Sequence, residues 1–458
     1  MRVADLGSQR VAIWGLGREG RAAIDFLHKV YPALPLVLLD DAVDGRAPQG
    51  VAANIEYVFG AERISRAIES VDVIVKSPGV SLYRSEIRRA REKGIHVTSL
   101  LNLWFAEEQD LTTICVTGTK GKSTTASLIA HILTMLGRRA ALVGNIGVPI
   151  TATDSTTADF AVIEVSSYQA ADFDGICDIG VLTSLYPEHI DWHHSVENYF
   201  RDKVNLLRRS RCGGVNGAVA EIVDRLAGGL PQPFFFNEES GFRARGSQIL
   251  IGDEVIGEIR NPYLARAHNS SNLCAALAVM SALGINTADA LDAAAGFRGL
   301  PHRQEELGEL AGVLYVDDSI STIPQSAIAA LAAYAGRPIS VILGGYDRGI
   351  EYGALVQTVV DGAAIAIICL GDSGQRIYEL ARASASRRPD RGCAIHRAQS
   401  MEDAVSFARQ VTPPGGVVLL SPAAPSYGHY RDYIERGRDF AAKAGLRQLA
   451  GNGVGAGG

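Results

Sequence analysis

The chain has 458 residues, room for about three domains at ~150 residues each. Its 47% apolar and 21% charged composition fits a folded globular enzyme and excludes extensive disorder, and a net charge of −6 without a lysine/arginine block excludes a nucleic-acid footprint. No apolar run reaches 18 residues, the N-terminus with Asp5 and Arg10 is no signal peptide, and Cys115, Cys177, Cys212, Cys274, Cys369 and Cys393 are scattered without metal-type pairs, so no membrane partner, reduced thiols and a cytoplasmic location are expected.

The first block alternates strand and helix. Arg10-Val11-Ala12-Ile13-Trp14 reads as a strand, then Gly15-x-Gly17-x-x-Gly20 opens a helical run to Val30. Leu36 to Leu39 ending at Asp40, and Val71 to Val75 before Ser77-Pro78-Gly79, supply further strands. The three glycines with Asp40 behind them fit a dinucleotide fingerprint, which alone would predict an NAD-dependent dehydrogenase. A helix N-terminus after such a loop binds any pyrophosphate, however. A UDP-sugar carries both a pyrophosphate and a ribose that Asp40 or Asp41 can hydrogen-bond, and Ser77-Pro78-Gly79 offers a second contact loop. The short polar run Glu107-Glu108-Gln109-Asp110 marks the first boundary.

The next segment decides between these readings. The strand-like Ile114-Cys115-Val116-Thr117 feeds Gly118-Thr119-Lys120-Gly121-Lys122-Ser123-Thr124, and Leu128, Ile129, Ile132, Leu133 and Leu136 then recur on one helical face. Strand, glycine loop and helix surround a polyphosphate with backbone N–H groups; Lys122 reaches the β/γ-phosphates and the Ser123 hydroxyl holds Mg²⁺. The spacing predicts ATP, which leaves a hydride cofactor without obvious use and favours the nucleotide-sugar reading of the first loop. Val116 stands where the common pattern has its first glycine, so the loop is the shorter Gly-x-x-Gly-Lys-Ser form.

Downstream, Glu164 closes the apolar strand Phe160-Ala161-Val162-Ile163. Residues 184–193 gather His189, His193, Glu188 and Asp191 into one turn, and Lys203 lies on a helical stretch from Val196 to Leu207. A phosphoryl transfer needs a hard cation and a carboxylate to hold it, which Glu164 can supply. The last block starts near Pro301-His302-Arg303 and alternates again, with strands at Gly312 to Val316, Ile339 to Leu343, Ala364 to Leu370 and Val417 to Leu420. Mainly parallel sheets covered by helices follow from this alternation. The expected fold is α/β in three domains: a Rossmann-like domain over 1–109, a central P-loop domain over 110–300 and a Rossmann-like domain over 301–458. The glycine-rich tail from Gly451 to Gly458 is expected to be disordered.

The short phosphate loop together with Gly144-Asn145-Ile146-Gly147, Glu164-x-Ser166-Ser167, Glu188-His189-x-Asp191, His268-Asn269-x-x-Asn272, Pro301-His302-Arg303 and Asp318-Ser319 resembles, in that order and over essentially the whole chain, the Mur ligase family. Within it the similarity is to the glutamate-adding, MurD-type branch. Folylpolyglutamate synthetase is a more distant relative, and the UDP-type first domain argues against it. The resemblance implies ATP-dependent joining of glutamate to UDP-N-acetylmuramoyl-L-alanine for peptidoglycan synthesis in a monomeric enzyme. It assigns the UDP substrate to Gly15, Leu16, Gly17, Arg18, Asp40, Ser77, Pro78, Gly79, Asn145 and Ser166. ATP falls to Gly118 through Thr124 and to Asn269, Asn272, Arg303 and Asp318. It places Mg²⁺ on Ser123, Glu164, His189 and a CO₂-carbamylated Lys203, with Lys122, Glu164, His189 and Lys203 as the catalytic set. The substrate carboxylate attacks the γ-phosphate to give an acyl-phosphate, which the incoming amine displaces.

The third domain departs from the pattern of D-glutamate-adding members. Asp318-Ser319-Ile320-Ser321-Thr322 has isoleucine where they have lysine, and Gly344-Gly345-Tyr346-Asp347-Arg348 has arginine in place of another. Ser421-Pro422-Ala423-Ala424-Pro425-Ser426-Tyr427-Gly428 differs as well. Arg348 can still grip a carboxylate. Thr322, Arg348, Ser426 and Tyr433 are the expected glutamate contacts. These three segments resemble the subfamily that adds L-glutamate and relies on a separate epimerase to invert the product; the conventional D-glutamate enzyme is the alternative, and a non-catalytic nucleotide-binding protein a third reading.

Overall fold

The structure, a computed structural model, describes residues 1–42, 54–107, 110–146, 148–154, 156–386 and 392–446. Glu108 and Gln109 of the boundary run, Gly147 of the Gly-Asn-Ile-Gly motif and the glycine-rich tail lie outside the described residues.

Three sheets form along the chain. The first orders its parallel strands Ile55–Phe59, Leu36–Asp40, Val11–Trp14, Val73–Lys76 and His96–Thr98. Val11–Trp14 is buried along its whole length between helices, which is why it reads as a continuous apolar run. The expected strand from Val71 starts two residues later, because the backbone of Asp72 is taken by Arg10 and His96 as the chain enters the sheet.

The second sheet places Thr112–Thr117 centrally, between Cys177–Leu182 and Phe160–Glu164, with Ala140–Gly144 beyond. All these pairs are parallel, and Val116 lies opposite both Glu164 and Val181. Three chain segments therefore leave the sheet side by side at its carboxyl end. Helix Lys122–Met135 covers it, with Leu128, Ile129, Ile132 and Leu133 fully buried and Leu136, just past its end, half-buried. The strand pattern does not anticipate the far edge, where Phe242–Arg245, Gln248–Ile251 and Glu254–Glu258 form an antiparallel meander. Its turns carry Gly246 and Gly252, both at positive φ, the ordinary signal for two-residue hairpins. The first two sheets lie in one compact unit, residues 1–297.

The second compact unit starts at Arg298, three residues before the expected Pro301. Its six strands run Glu305–Leu310, Val313–Asp317, Val417–Leu420, Ile339–Leu343, Ala366–Cys369 and Ala394–Arg397, parallel except for the first pair. Chain order switches between Val417–Leu420 and Ile339–Leu343, a place where α/β sheets open a crevice beyond the strand ends. All six cysteines are free thiols, four of them buried and Cys212 and Cys393 half-buried. No helix among the described residues is long and apolar enough to cross a membrane.

Candidate active site

The phosphate loop owes its shape to two glycines. Gly118 has φ +148° and Gly121 +89°, values that a side chain resists. A Cβ at Gly118 would also collide with the Thr183 hydroxyl, and one at Gly121 would stand 2.5 Å from Asn272 Oδ1. Gly121 caps helix Lys122–Met135, so the N-terminal N–H groups open toward the loop. Thr183 clamps the loop from the next strand end, its hydroxyl donating to the Lys120 carbonyl at 2.6 Å. The Thr119 hydroxyl meets Tyr199 Oη at 2.8 Å, and Lys120 pairs with Glu188 at 2.8 Å.

Two lysines address the same loop. Lys122 Nζ donates to the Gly118 and Thr119 carbonyls at 2.8 and 2.9 Å. Lys203, on helix Val196–Arg208, is only 1% exposed, and its Nζ donates to the Gly118 carbonyl at 2.8 Å. Burial, together with the charge of Lys122, holds the Lys203 amine well below its ordinary pKa. Such burial shifts a lysine toward its uncharged, nucleophilic amine form.

Glu164 is likewise buried. Its Oε1 accepts from Asn145 Nδ2 at 2.8 Å, while Oε2 has no hydrogen-bond partner among the described residues. An orphaned carboxylate oxygen is expensive unless a cation meets it, and with Ser123 in the first helical turn the donor set fits Mg²⁺. His189 does not join this cluster by contact. It is exposed at φ +55°, with Nε2 3.9 Å from Glu188 and its ring 5.1 Å from Tyr168; burial on one side lowers its pKa.

The sequence places His193, four residues on, in the same turn, and it is the buried one of the two. Its Nδ1 lies 2.6 Å from Asp202 Oδ2 and its Nε2 3.0 Å from the Ser167 hydroxyl, while Tyr83 donates to both Asp202 oxygens at 3.0 Å. Burial is the missing information, since spacing does not separate His189 from His193. Asn272 accepts from the Thr125 hydroxyl at 3.3 Å beneath the loop, and Asn269 donates to the Tyr263 carbonyl at 2.9 Å.

The first glycine loop is built differently. Ser77 Oγ donates to the Gly15 carbonyl at 2.6 Å, and a Cβ at Gly20 would collide with that same carbonyl. Both Asp40 oxygens already accept backbone N–H groups, Leu16 at 2.9 Å and Ala42 at 3.0 Å. Asp40 therefore shapes the loop, which leaves its remaining lone pairs for a ribose. Arg18 reaches the Gly144 and Asn145 carbonyls at 3.1 and 3.0 Å, and Trp192 Nε1 donates to the Pro78 and Gly79 carbonyls at 3.1 and 3.2 Å. Ser166 caps helix Ser167–Asp172 in a box with Gln169, which donates to Glu19 at 2.6 Å. Burial raises the Glu19 pKa to about 7.

In the second unit, Asp318 is buried between the Gln304 N–H at 3.2 Å and the Ser421 hydroxyl at 2.6 Å, and burial raises its pKa to about 7. Arg303 is exposed. Arg348 donates to the Thr322 carbonyl at 3.0 Å, which brings two expected glutamate contacts together. Ser426 lines a cavity of about 290 Å³ with Gly344, Gly345, Arg436 and Lys443. Tyr433 begins helix Tyr433–Ala444, and its carbonyl accepts from Ser319 Oγ at 2.8 Å.

A central parallel sheet ending in a short phosphate loop, met by two lysines and an orphaned carboxylate, defines a nucleotide-binding phosphate-loop enzyme. Three family models match in order: the Mur ligase MurD-like N-terminal domain over residues 9–99, the Mur ligase middle domain over 116–227, and the Mur ligase glutamate ligase domain over 302–424. A UDP-N-acetylmuramoyl-L-alanine–L-glutamate ligase of Xanthomonas axonopodis pv. citri is 39% identical over 98% of both chains, and one of a Micromonospora species 40% identical over 99% of both. Among solved structures, MurF of Acinetobacter baumannii aligns with TM-score 0.58 at 17% identity, covering 89% of this chain and 84% of its own. MurC of Thermotoga maritima aligns with TM-score 0.57 at 18% identity, covering 95% and 99%. The chain belongs to the Mur ligase family.

Proposed function

We propose that this protein is an ATP-dependent ligase that adds L-glutamate to UDP-N-acetylmuramoyl-L-alanine, releasing ADP and phosphate. The observation that carries the catalytic reading is the convergence of buried Lys203 and Lys122 on the carbonyls of one glycine loop, with Glu164 Oε2 unpartnered among the described residues at the end of the adjacent strand. The identity of the added residue is supported by the relatives that cover nearly the whole chain and by the altered segments around Ile320, Arg348 and Ser426. The product is then substrate for an epimerase, and the enzyme acts as a monomer in the cytoplasm.

The three domains divide the work: residues 1–109 hold UDP, 110–300 hold ATP, and 301–458 bring the amino acid. The loop from Gly118 to Thr124 wraps the phosphates with backbone N–H groups, while Asn269, Asn272, Arg303 and Asp318 serve the adenosine. Gly15, Leu16, Gly17, Arg18 and Ser77–Gly79 hold the UDP, and Asn145 and Ser166 the muramoyl-alanine end. Lys122 turns from the loop carbonyls to the γ-phosphate, where a fixed cation offsets charge as the carboxylate attacks. Ser123, Glu164, His189 and carbamylated Lys203 would hold Mg²⁺, which supplies charge neutralisation at the phosphates. Carbamylation converts the Lys203 amine into an anionic ligand, and its desolvated state favours that reaction. The acyl-phosphate is attacked by the glutamate amine, held through its carboxylates by Thr322, Arg348, Ser426 and Tyr433; the C–N bond forms and phosphate leaves.

The test is phosphate release with UDP-N-acetylmuramoyl-L-alanine, Mg²⁺, bicarbonate and either glutamate enantiomer, with mass analysis of the product. Turnover with L-glutamate alone is expected. Turnover with D-glutamate alone would reassign the stereochemistry, and turnover with neither would overturn the ligase reading.

A further inference from the structure

Arg436 belongs to no motif that the sequence singles out, yet it is among the largest fully buried side chains, 2% exposed on helix Tyr433–Ala444. Its guanidinium touches several segments at once. Nε donates to Ser319 Oγ at 3.1 Å, and Nη2 donates to the Ser319 carbonyl at 2.8 Å and the Ala424 carbonyl at 2.9 Å. Nη1 has no hydrogen-bond partner among the described residues and lies against Gly345, where a Cβ would stand 2.8 Å away. One buried cation therefore meets the 318–322, 344–348 and 421–426 segments, and its own helix begins with Tyr433. Those are the segments that carry Thr322, Arg348, Ser426 and Tyr433, and the ones whose sequence departs from the D-glutamate pattern.

Ser319 is the shared node. Besides Arg436 and the Tyr433 carbonyl, its N–H donates to Asp317 Oδ1 at 2.8 Å, and Asp317 Oδ2 lies 2.7 Å from His302 Nδ1. The Asp318 carboxylate, by contrast, is held by Gln304 and Ser421. The Asp318 carboxylate is thus held by groups other than Arg436 and Ser319, although Ser421 starts the segment whose Ala424 carbonyl Arg436 binds. Burying a guanidinium against carbonyls and a hydroxyl, with no carboxylate salt bridge among the described residues, is costly. A planar fork with fixed donor directions does at this position what a flexible ammonium cannot.

We propose that Arg436, acting through Ser319, is a positioning residue that sets the geometry of the amino-acid pocket and so the affinity for the incoming glutamate. This rests on the glutamate-ligase reading. At the wall of the cavity that Ser426 lines, Arg436 spends Nε and Nη2 on Ser319 and Ala424 and so fixes the backbone on which the contacts are mounted.

The test compares wild type, Arg436→Lys and Ser319→Ala by steady-state kinetics with each substrate varied in turn, alongside thermal melts. Both variants are expected to raise KM for glutamate, about ten-fold for Arg436→Lys and less for Ser319→Ala, with KM for ATP and for the UDP substrate within two-fold and kcat little changed. Equal rises in all three KM values would show a general structural staple and overturn the proposal, as would an unchanged glutamate KM. Should Arg436→Lys fail to fold, Ser319→Ala decides by the same criterion. Wild-type protein that converts no glutamate would instead defeat the ligase reading, whereas active wild type with indistinguishable variants would defeat only the positioning role.

Discussion

The phosphate loop of the central sheet and the amino-acid segments of the second unit solve opposite problems. Around Gly118–Ser123 the backbone itself is the binding group, so glycines with positive φ and a clamping Thr183 fix the site. Buried there are Lys203, whose amine donates to the Gly118 carbonyl, and Glu164, whose Oε2 has no hydrogen-bond partner among the described residues. Around Thr322, Arg348 and Ser426 the expected binding groups are side chains on loops, and beneath them Arg436, Ser319, Asp317 and His302 form one hydrogen-bonded chain, with Arg436 Nη1 left without a partner among the described residues. A bare buried carboxylate oxygen beside a phosphate loop marks where a cation supplies the missing partner. A chain of side-chain and backbone hydrogen bonds marks where the fold holds loops still for a smaller ligand.

The largest effect tests the first half of that contrast. Lys203→Ala is expected to lower kcat by about 10²- to 10³-fold, the scale of losing one fixed electrostatic group at a phosphoryl or oxyanion centre, with KM for glutamate little changed. Wild-type activity should also fall when CO₂ is stripped from the buffer and return with bicarbonate. Arg348→Ala tests the other half. It removes a carboxylate grip on an exposed loop, so KM for glutamate should rise about ten-fold while kcat stays within a few-fold. If both variants changed the same kinetic constant, the division between the two regions would not hold.

The last effect is on stability and leaves the kinetic constants aside. Burial raises the Asp318 pKa to about 7, against about 4 in an unfolded chain, so between these values the folded state retains a proton that the unfolded state has released. Unfolding free energy of the ligand-free protein should therefore fall as pH rises across that window, by at most ~1.4 kcal/mol per pH unit. Asp318→Asn keeps the shape without the titration and should flatten the slope relative to wild type, as measured by urea melts at pH 5, 6, 7 and 8. A variant with an unchanged slope would show that Asp318 is ionised when folded.

What is legible in the sequence follows the same contrast. Apolar strands such as Val11–Trp14 and Ile339–Leu343, buried throughout, announce the parallel sheets, and Gly118 and Gly121 announce the loop because only that backbone needs them. The edge meander over residues 242–258 is harder to see, although Gly246-Ser247 and Gly252-Asp253 are ordinary hairpin turns; its strands are short and one is largely exposed. Arg436 and His193 stay hidden for a different reason. Arginine and histidine give no local sign of burial, and their partners lie 117 and 9 residues away, so only the folded chain reveals them as nodes. Asp40 reads as a ribose acceptor from its distance behind the glycines, and the same distance lets it cap Leu16 N–H; spacing does not separate the two duties.

The most direct test of the account is the fate of the substrate's carboxylate oxygen. UDP-N-acetylmuramoyl-L-alanine labelled with ¹⁸O in the alanine carboxylate, incubated with ATP and L-glutamate, should yield inorganic phosphate carrying one ¹⁸O per turnover from a fully labelled carboxylate, because amine attack breaks the acyl C–O bond and the phosphate leaves with the oxygen that came from the acid. Product formed with unlabelled phosphate would contradict activation at the γ-phosphate, and with it the part of the phosphate loop in catalysis.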